Sequence, residues 1–169
     1  MDLTLDDDDG LDADDPLALA EAVMQDDPRF EVERIEEHDL QFSFHAPWGE
    51  AVGFFSYRDE LPAVLFTFGL DLAAPEHKRA EAASLCAMIN ENLWLGHFDV
   101  WSEDGAIVMR HSLPMVGRSE VSEGEFQALL AAALDAADRF HPAFALLIHG
   151  GYAPTEAAKA SLFETVGEA

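Results

Sequence analysis

Four strand-like segments follow one another between Phe30 and Leu70, with only short turns between them. In the second segment, Leu40–His45, apolar and polar side chains alternate, which is typical of a half-buried strand with one apolar face. The fourth segment, Ala63–Leu70, is apolar on both faces, so we expect either a central strand or one that is covered on both sides. This run of strands constrains the fold more than any other feature of the chain.

Helical patterns flank the strand region. The first predicted helix begins after Asp15, whose side chain can cap it, and ends near Asp27. The second begins at Pro75 and is expected to run for about 18 residues. A β-hairpin with an Asp104–Gly105 turn follows the second helix.

The third predicted helix has a clear start signal. Ser122 and Glu125 have the spacing of a capping box, and apolar residues then recur at helical intervals. Pro142 lies inside this pattern and is expected to kink or split the helix. Gly150 ends it, and a short final helix is expected to begin at Pro154 and to end near residue 166.

The order of these elements predicts the fold class. Strands are grouped rather than alternating one-to-one with helices, which indicates an α+β fold with a single antiparallel sheet packed by helices. A length of 169 residues suits one domain. Residues 1–15 contain eight Asp and no Lys or Arg, so we expect a flexible acidic N-terminal arm followed by one α+β domain at residues 16–169.

The charge of the chain excludes several classes of partner. It has 34 acidic and 9 basic side chains, for a formal net charge of −25, whereas binding to nucleic acid requires a cationic surface. The same charge disfavours anionic membranes. The chain has no basic segment followed by an apolar one at its start, and its most apolar stretch, Ala128–Gly151, is interrupted by charged residues. We therefore expect a cytoplasmic protein, and the single Cys86 suits a reducing compartment.

Two sets of residues suggest a metal site at first sight. The acidic run Asp6–Asp12 resembles a calcium-binding loop, but the required ligand positions 1 and 12 fall on Leu5 and Pro16. His97 and His111 lie on the two strands of the hairpin and are placed to approach each other, but zinc requires a third ligand. We therefore predict ordinary histidines and no metal site.

No local motif supports catalysis. Cys86 lies on the apolar stripe of the second helix, where burial as a small apolar side chain is the favoured interpretation. The sequence contains no G-x-S-x-G nucleophile motif, no phosphate-binding loop and no dinucleotide fingerprint. We therefore predict no catalytic residues and no cofactor.

Two groups of side chains are candidates for binding. Asn90 and Asn92 lie near the end of the second helix, where docking of that end on the hairpin is favoured over a role in binding. Trp48, Trp94 and Trp101 are candidates for a partner surface because Trp is enriched at binding hot spots. We expect at least one of them to pack in the core instead.

Scattered residues from the second helix to the C-terminus are similar to a known family. They are Ala83, Met88–Asn90, Gly96–Phe98, Gly105–Ile107, Arg110, Leu113, Phe126, Asp138, Phe140, Ala143–Phe144 and Leu162–Glu168. In this pattern the chain, from Pro16 onward, resembles the bacterial YbjN-like family. The resemblance implies a strongly twisted antiparallel sheet similar to that of type III secretion chaperones, a frequent dimeric state, and a role in sensory transduction or stress-response regulation. It supplies no catalytic residue.

These observations favour a non-enzymatic, chaperone-like module that binds another protein and forms a homodimer. The net charge favours basic partners. The alternative is a sensor of a small molecule or metal, in which Arg110, His97 or His111 lines a pocket. An enzyme is the third hypothesis, and no pairing of a nucleophile with a base supports it.

Overall fold

The structure is a computed structural model that describes residues 15–163. Its helices are α1 (Ala18–Gln25), α2 (Arg79–Asn90), α3 (Glu123–Ile148) and α4 (Pro154–Phe163), and a short 3-10 turn (Glu76–Lys78) precedes α2. Its strands are β1 (Phe30–Glu36), β2 (Asp39–Ala46), β3 (Gly49–Arg58), β4 (Ala63–Ala73), β5 (His97–Val100) and β6 (Ala106–Pro114). The predicted acidic arm lies outside the described residues except for Asp15, so the arm stays a prediction.

The strands form one six-stranded sheet in the order β1-β2-β3-β4-β6-β5, and every neighbouring pair is antiparallel. The predicted α+β class with a single antiparallel sheet is confirmed. β4 is a central strand, because β3 and β6 flank it. This agrees with the first of the two interpretations of Ala63–Leu70. No helix among the described residues is both long and apolar enough to cross a bilayer.

Helices cover one face of the sheet. α1 contacts β1, α2 contacts β5 and α3 contacts β4, while α4 lies against α2 and α3. A row of directly opposed residues crosses the sheet under this layer, and it consists of Val32, Phe42, Gly53, Phe68, Met109 and Phe98. Gly53 is required in this row, because a Cβ atom there would lie 2.2 Å from the ring of Phe42. Phe55 joins sheet to helix through an edge-on contact with Phe126, with 5.4 Å between ring centroids.

The third helix corrects one prediction. Its predicted capping box is present, with the Ser122 hydroxyl accepting from the backbone N–H of Glu125. α3 continues through Pro142 as a single helix of 26 residues, so of the two predicted effects, a kink or a split, the split does not occur. Proline removes one helical hydrogen bond, and buried side chains on both sides, Phe140 and Phe144, hold the two halves of the helix against the core.

The second helix is shorter than expected. Its α-helical part has 12 residues, because the turn after Pro75 is a 3-10 turn. Lys78 lies at the end of that turn and its ammonium group donates to the carbonyl oxygens of Leu147 (2.8 Å) and Ile148 (3.2 Å). A cation at this position satisfies the unpaired carbonyls at the end of α3 and is favourable to the helix dipole.

Candidate functional site

Opposite the helices lies a sheet surface that no described helix covers, and we call it the open face. Side chains alternate along a strand, so each residue next to a buried core residue points to this side. A second row of directly opposed residues crosses the open face from β1 to β5, and we call it the cross-sheet row. In order, the cross-sheet row consists of Glu33, Gln41, Phe54, Thr67, Arg110 and His97.

The centre of the open face is apolar. Phe54 is 40% exposed, and Val52, two residues earlier on β3, is 37% exposed. Trp101, directly after β5, is 37% exposed. Aromatic and branched side chains exposed together on one sheet surface are unusual for a surface in contact with solvent alone.

Two arginines are among the residues that line a cavity of about 270 Å³ on the open face, between β3 and β5. Arg110 lies here, with its guanidinium 5.7 Å from the centroid of the Trp101 ring and Nη1 3.4 Å from Oδ2 of Asp99. Arg58 and His97 also line the cavity. Two of the nine basic residues of this acidic chain therefore share one side of the sheet.

Arg58 is fixed by a neighbouring carboxylate. Its Nη2 donates to Oδ1 of Asp39 at 3.0 Å, and the Ser56 hydroxyl donates to the same oxygen. Burial alone raises the pKa of the Asp39 carboxyl, but hydrogen bonds from Ser56 and Arg58 outweigh burial and leave the pKa below its ordinary value. Asp39 is therefore held as a carboxylate that orients Arg58.

His97, His111 and Arg110 all line the cavity of about 270 Å³, although the two histidines hold different positions in the sheet. His97 is opposite Arg110 on the open face, whereas His111 is opposite the buried Phe66 and belongs to the helix side by strand alternation. Burial, and secondarily the positive charge of His97, lowers the pKa of His111. Within residues 15–163 no group of three His, Cys, Asp or Glu residues is placed to hold a metal ion.

The three tryptophans have different environments. Trp48 is half-buried, stacks on His141 with 4.6 Å between ring centroids, and donates from Nε1 to Oδ1 of Asp138 at 2.8 Å. It attaches the β2–β3 turn to α3 rather than forming a partner surface. Trp94 is 78% exposed in the α2–β5 connection, and Trp101 lies on the open face.

Asn90 acts at the edge of the sheet, as docking of the helix end on the hairpin predicted. Its side-chain Oδ1 accepts from the backbone N–H of Phe98 at 2.7 Å, and its Nδ2 donates to the carbonyl oxygen of Phe98 at 3.1 Å. The backbone N–H of Val100, also on β5, donates to Oδ1 of Asp99 at 2.8 Å. These side chains occupy the outer edge of β5, whereas within residues 15–163 no strand pairs with the outer edge of β1.

Cys86 is buried, as predicted, in contact with the core. Burial, and secondarily the negative charge of Asp99, raises the pKa of its thiol to about 12. The thiolate form is therefore scarce at neutral pH, and the arrangement does not favour nucleophilic chemistry at this residue.

Arg110, His97 and Trp101 were candidates from the sequence alone, whereas Phe54 and Arg58 were not. The sequence contained a signal for Phe54. β3 has apolar residues at both its odd and its even positions, and only one of these two sets of side chains can face the helices. The second cavity, a cleft of about 560 Å³ between the α1–β1 connection and α3, was also missed. Its apolar lining consists of Val23, Pro28, Phe30, Leu130, Ala131 and Leu134.

Comparison with known proteins relates the chain to one family. A search of curated protein sequences gave no significant match. Among solved structures, the crystal structure of the ExsC-ExsE complex aligns with 16% sequence identity over 58% of this chain and 71% of that chain. Its TM-score is 0.37, which is too low to support an argument about fold or partners. The family model described as "putative bacterial sensory transduction regulator" matches residues 18–146, which is more than half of the chain, and the protein therefore belongs to the YbjN family.

Proposed function

We propose that this protein is a non-enzymatic, chaperone-like regulatory module that binds another protein through its open face. The observation that carries the proposal is the exposure of Phe54 and Trp101 on a sheet surface without a helical cover. Membership of a family described as sensory transduction regulators is consistent with such a role.

Physical chemistry favours a polypeptide as the occupant of this surface. Large aromatic side chains such as Phe54 and Trp101 contribute most to binding when they are desolvated at the centre of an interface. Arg58, Arg110 and Glu33 provide the polar surroundings that interfaces have at their rim. The cavity beside them has a volume of about 270 Å³, below the usual range of ligand pockets, which suits side chains of a partner better than a small-molecule substrate.

The net charge of the chain indicates which class of partner to expect. The net charge of −25 repels nucleic acid and anionic membranes and favours basic proteins.

We further propose a homodimer that acts in the cytoplasm. Strand addition is a second mode of contact, and β1 is the suitable edge because Asn90 and Asp99 already occupy the edge of β5.

The test is capture of partners by the full-length protein and by Phe54→Asp, followed by mass spectrometry. Val116→Asp is the matched control, because Val116 is 79% exposed and lies in the β6–α3 loop, away from the open face. Circular dichroism and thermal melting establish that both variants fold. We expect Phe54→Asp alone to lose both self-association and specific capture. Equal capture and equal association for all three proteins would contradict the proposal.

The second candidate function is a small-molecule sensor, and the cleft between the α1–β1 connection and α3 favours it. A volume of about 560 Å³ lies within the range of ligand pockets. Binding to the native state raises the melting temperature, so a thermal-shift screen of metabolites and metal ions tests this function. A hit whose effect is removed by Leu134→Arg would support the sensor. A screen without any shift would count against it.

A further inference from the structure

The open face is acidic overall. Its exposed carboxylates include Glu31 and Glu33 on β1 and Glu50 on β3. Strand alternation places all three on the side that faces away from the helices. A surface of this charge attracts basic segments of a partner and repels acidic ones.

One cavity on this acidic surface differs from its surroundings. It is the cavity of about 270 Å³ between β3 and β5, and we call it the arginine cavity. Among residues 15–163, Arg58 and Arg110 line it and no Asp or Glu does. By contrast, Glu31 and Glu33 line the hollow of about 240 Å³ beside β1. The arginine cavity therefore suits a negative group within a surface that otherwise suits positive ones.

Arg110 is the better placed of the two arginines to bind a new acceptor. Arg58 is already held by Asp39 at 3.0 Å. The distance of 3.4 Å between Nη1 of Arg110 and Oδ2 of Asp99 is longer than usual for an N–H···O bond, and both side chains are almost half exposed. The guanidinium of Arg110 lies 5.7 Å from the centroid of the Trp101 ring, and a cation–π contact does not use its N–H groups as hydrogen-bond donors.

Hydroxyl groups add further donors to the arginine cavity. Thr67 is directly opposite Arg110 in the sheet, and Ser112 lies two residues after Arg110 on β6. A carboxylate can accept two parallel hydrogen bonds from a guanidinium and further ones from hydroxyls. This set of donors therefore fits the carboxylate of an Asp or Glu side chain.

We propose that the open face recognises a basic segment of the partner protein that carries one carboxylate side chain, and that this carboxylate enters the arginine cavity beside Arg110. The inference rests on the protein-binding function proposed above and adds the chemistry of the partner. Apolar side chains next to the carboxylate pack on Phe54 and Trp101. Basic side chains of the same segment face Glu31 and Glu33 at the other end of the open face.

The sheet sets the length of the recognised segment. Glu33, Phe54 and Arg110 lie in the cross-sheet row on β1, β3 and β6. Four strand spacings of about 4.8 Å separate Glu33 from Arg110, which is about 19 Å, and Phe54 lies halfway. An extended chain covers about 19 Å with about six residues and a helix with about 13. A peptide of about 16 residues therefore reaches from the arginine cavity to β1 in either conformation.

The experiment selects ligands of the full-length protein from a phage-displayed library of random peptides of about 16 residues. We expect the enriched peptides to combine Lys or Arg with apolar residues and one Asp or Glu. Isothermal titration calorimetry then measures the affinity of the synthetic peptides. Exchange of the peptide carboxylate for the matching amide should weaken binding to the natural protein about tenfold or more. The same exchange should have little effect on binding to Arg110→Met, because the partner of the carboxylate is already absent.

A matched control and a charge reversal sharpen this test. Lys159→Met also removes one positive charge, but from an exposed residue of α4 on the helix side, so it should keep the full effect of the amide exchange. Arg110→Glu should bind best to a peptide in which Lys replaces the acidic residue. Circular dichroism and thermal melting establish that the variants fold.

The outcomes separate this inference from the proposed function. An amide exchange that weakens binding equally in the natural protein and in Arg110→Met would overturn the place assigned to the carboxylate. Enriched peptides without a carboxylate that still depend on Phe54 would overturn the inference and leave the protein-binding function intact. A library without any enriched peptide would also count against the inference. Failure of the proposed function itself appears separately, as capture of partners that is insensitive to Phe54→Asp.

Discussion

Asn90, the last residue of α2, hydrogen bonds with its side chain to both the backbone N–H and the carbonyl oxygen of Phe98 on β5. The carboxamide of Asn90 presents its oxygen and one of its two N–H groups side by side, so it bonds to both backbone groups of Phe98 as a neighbouring strand would. The exposed edge of a sheet is otherwise a template for unwanted pairing. Asn90 therefore attaches the end of α2 to the outer edge of β5 and covers part of that edge.

Replacement of Asn90 by alanine is expected to lower the free energy of unfolding by about 2 kcal/mol, because two backbone groups of Phe98 lose their partners. The same change should increase aggregation through the uncovered edge of β5. Urea denaturation and light scattering measure the two effects. Asn92→Ala is the control, since Asn92 is exposed and donates only to the carbonyl oxygen of Met88 on its own helix. Equal stability of the two variants would contradict the role assigned to Asn90.

Elements set by local pattern were predictable from the sequence. The alternation in Leu40–His45, the capping box at Ser122 and the apolar stripe around Cys86 each depend on residues a few positions apart, and the structure has a strand, a helix start and a buried thiol at these places. The side chain of Asn90 docks on a hairpin that follows within a few residues, so this contact was predictable as well.

Features that depend on distant residues could not be predicted in this way. The cross-sheet row depends on the pairing of β6 with β4, which brings Phe54 into one row with Arg110. Trp48 reaches α3 across 90 positions of sequence. The helix through Pro142 persists because tertiary packing outweighs a local preference.

The buried thiol of Cys86 is expected to be unreactive in the native protein. Its pKa of about 12 leaves little thiolate at pH 8, and the side chain is not accessible to reagents. A colorimetric disulfide reagent should react slowly with native protein and with one thiol per chain in denaturant. Fast, complete reaction without denaturant would show that the helix layer over the core opens readily.

Glu125 predicts a specific response to acid. Hydrogen bonds from the Arg118 guanidinium, at 2.8 and 2.9 Å, and from the Ser122 backbone N–H lower the pKa of this carboxyl from 4.5 to about 2. Because the folded-state pKa is lowered, its contribution to stability is complete above pH 4.5 and is lost as the pH falls toward 2. Glu125→Gln retains the capping geometry but not the charge.

We therefore expect Glu125→Gln to be less stable than the natural protein at pH 7, by about 1 kcal/mol or less because the pair is partly exposed. The difference should shrink as the pH approaches 2. Urea denaturation at a series of pH values measures it. Ser122→Ala removes the cap itself and should cost about 1 kcal/mol. A constant difference between Glu125→Gln and the natural protein from pH 7 to pH 2 would contradict the lowered pKa.

Trp48 is expected to stabilise the fold by joining the β2–β3 turn to α3. Trp48→Phe keeps a ring to stack on His141 but removes the hydrogen bond to Asp138, which should cost about 1 kcal/mol. Trp48→Ala removes both contacts and should cost about 2 kcal/mol. Trp94→Phe is the matched control, because Trp94 is 78% exposed, and it should change stability by less than about 0.5 kcal/mol. Urea denaturation followed by circular dichroism ranks the three variants, and a Trp48→Ala protein as stable as Trp94→Phe would show that the turn does not depend on α3.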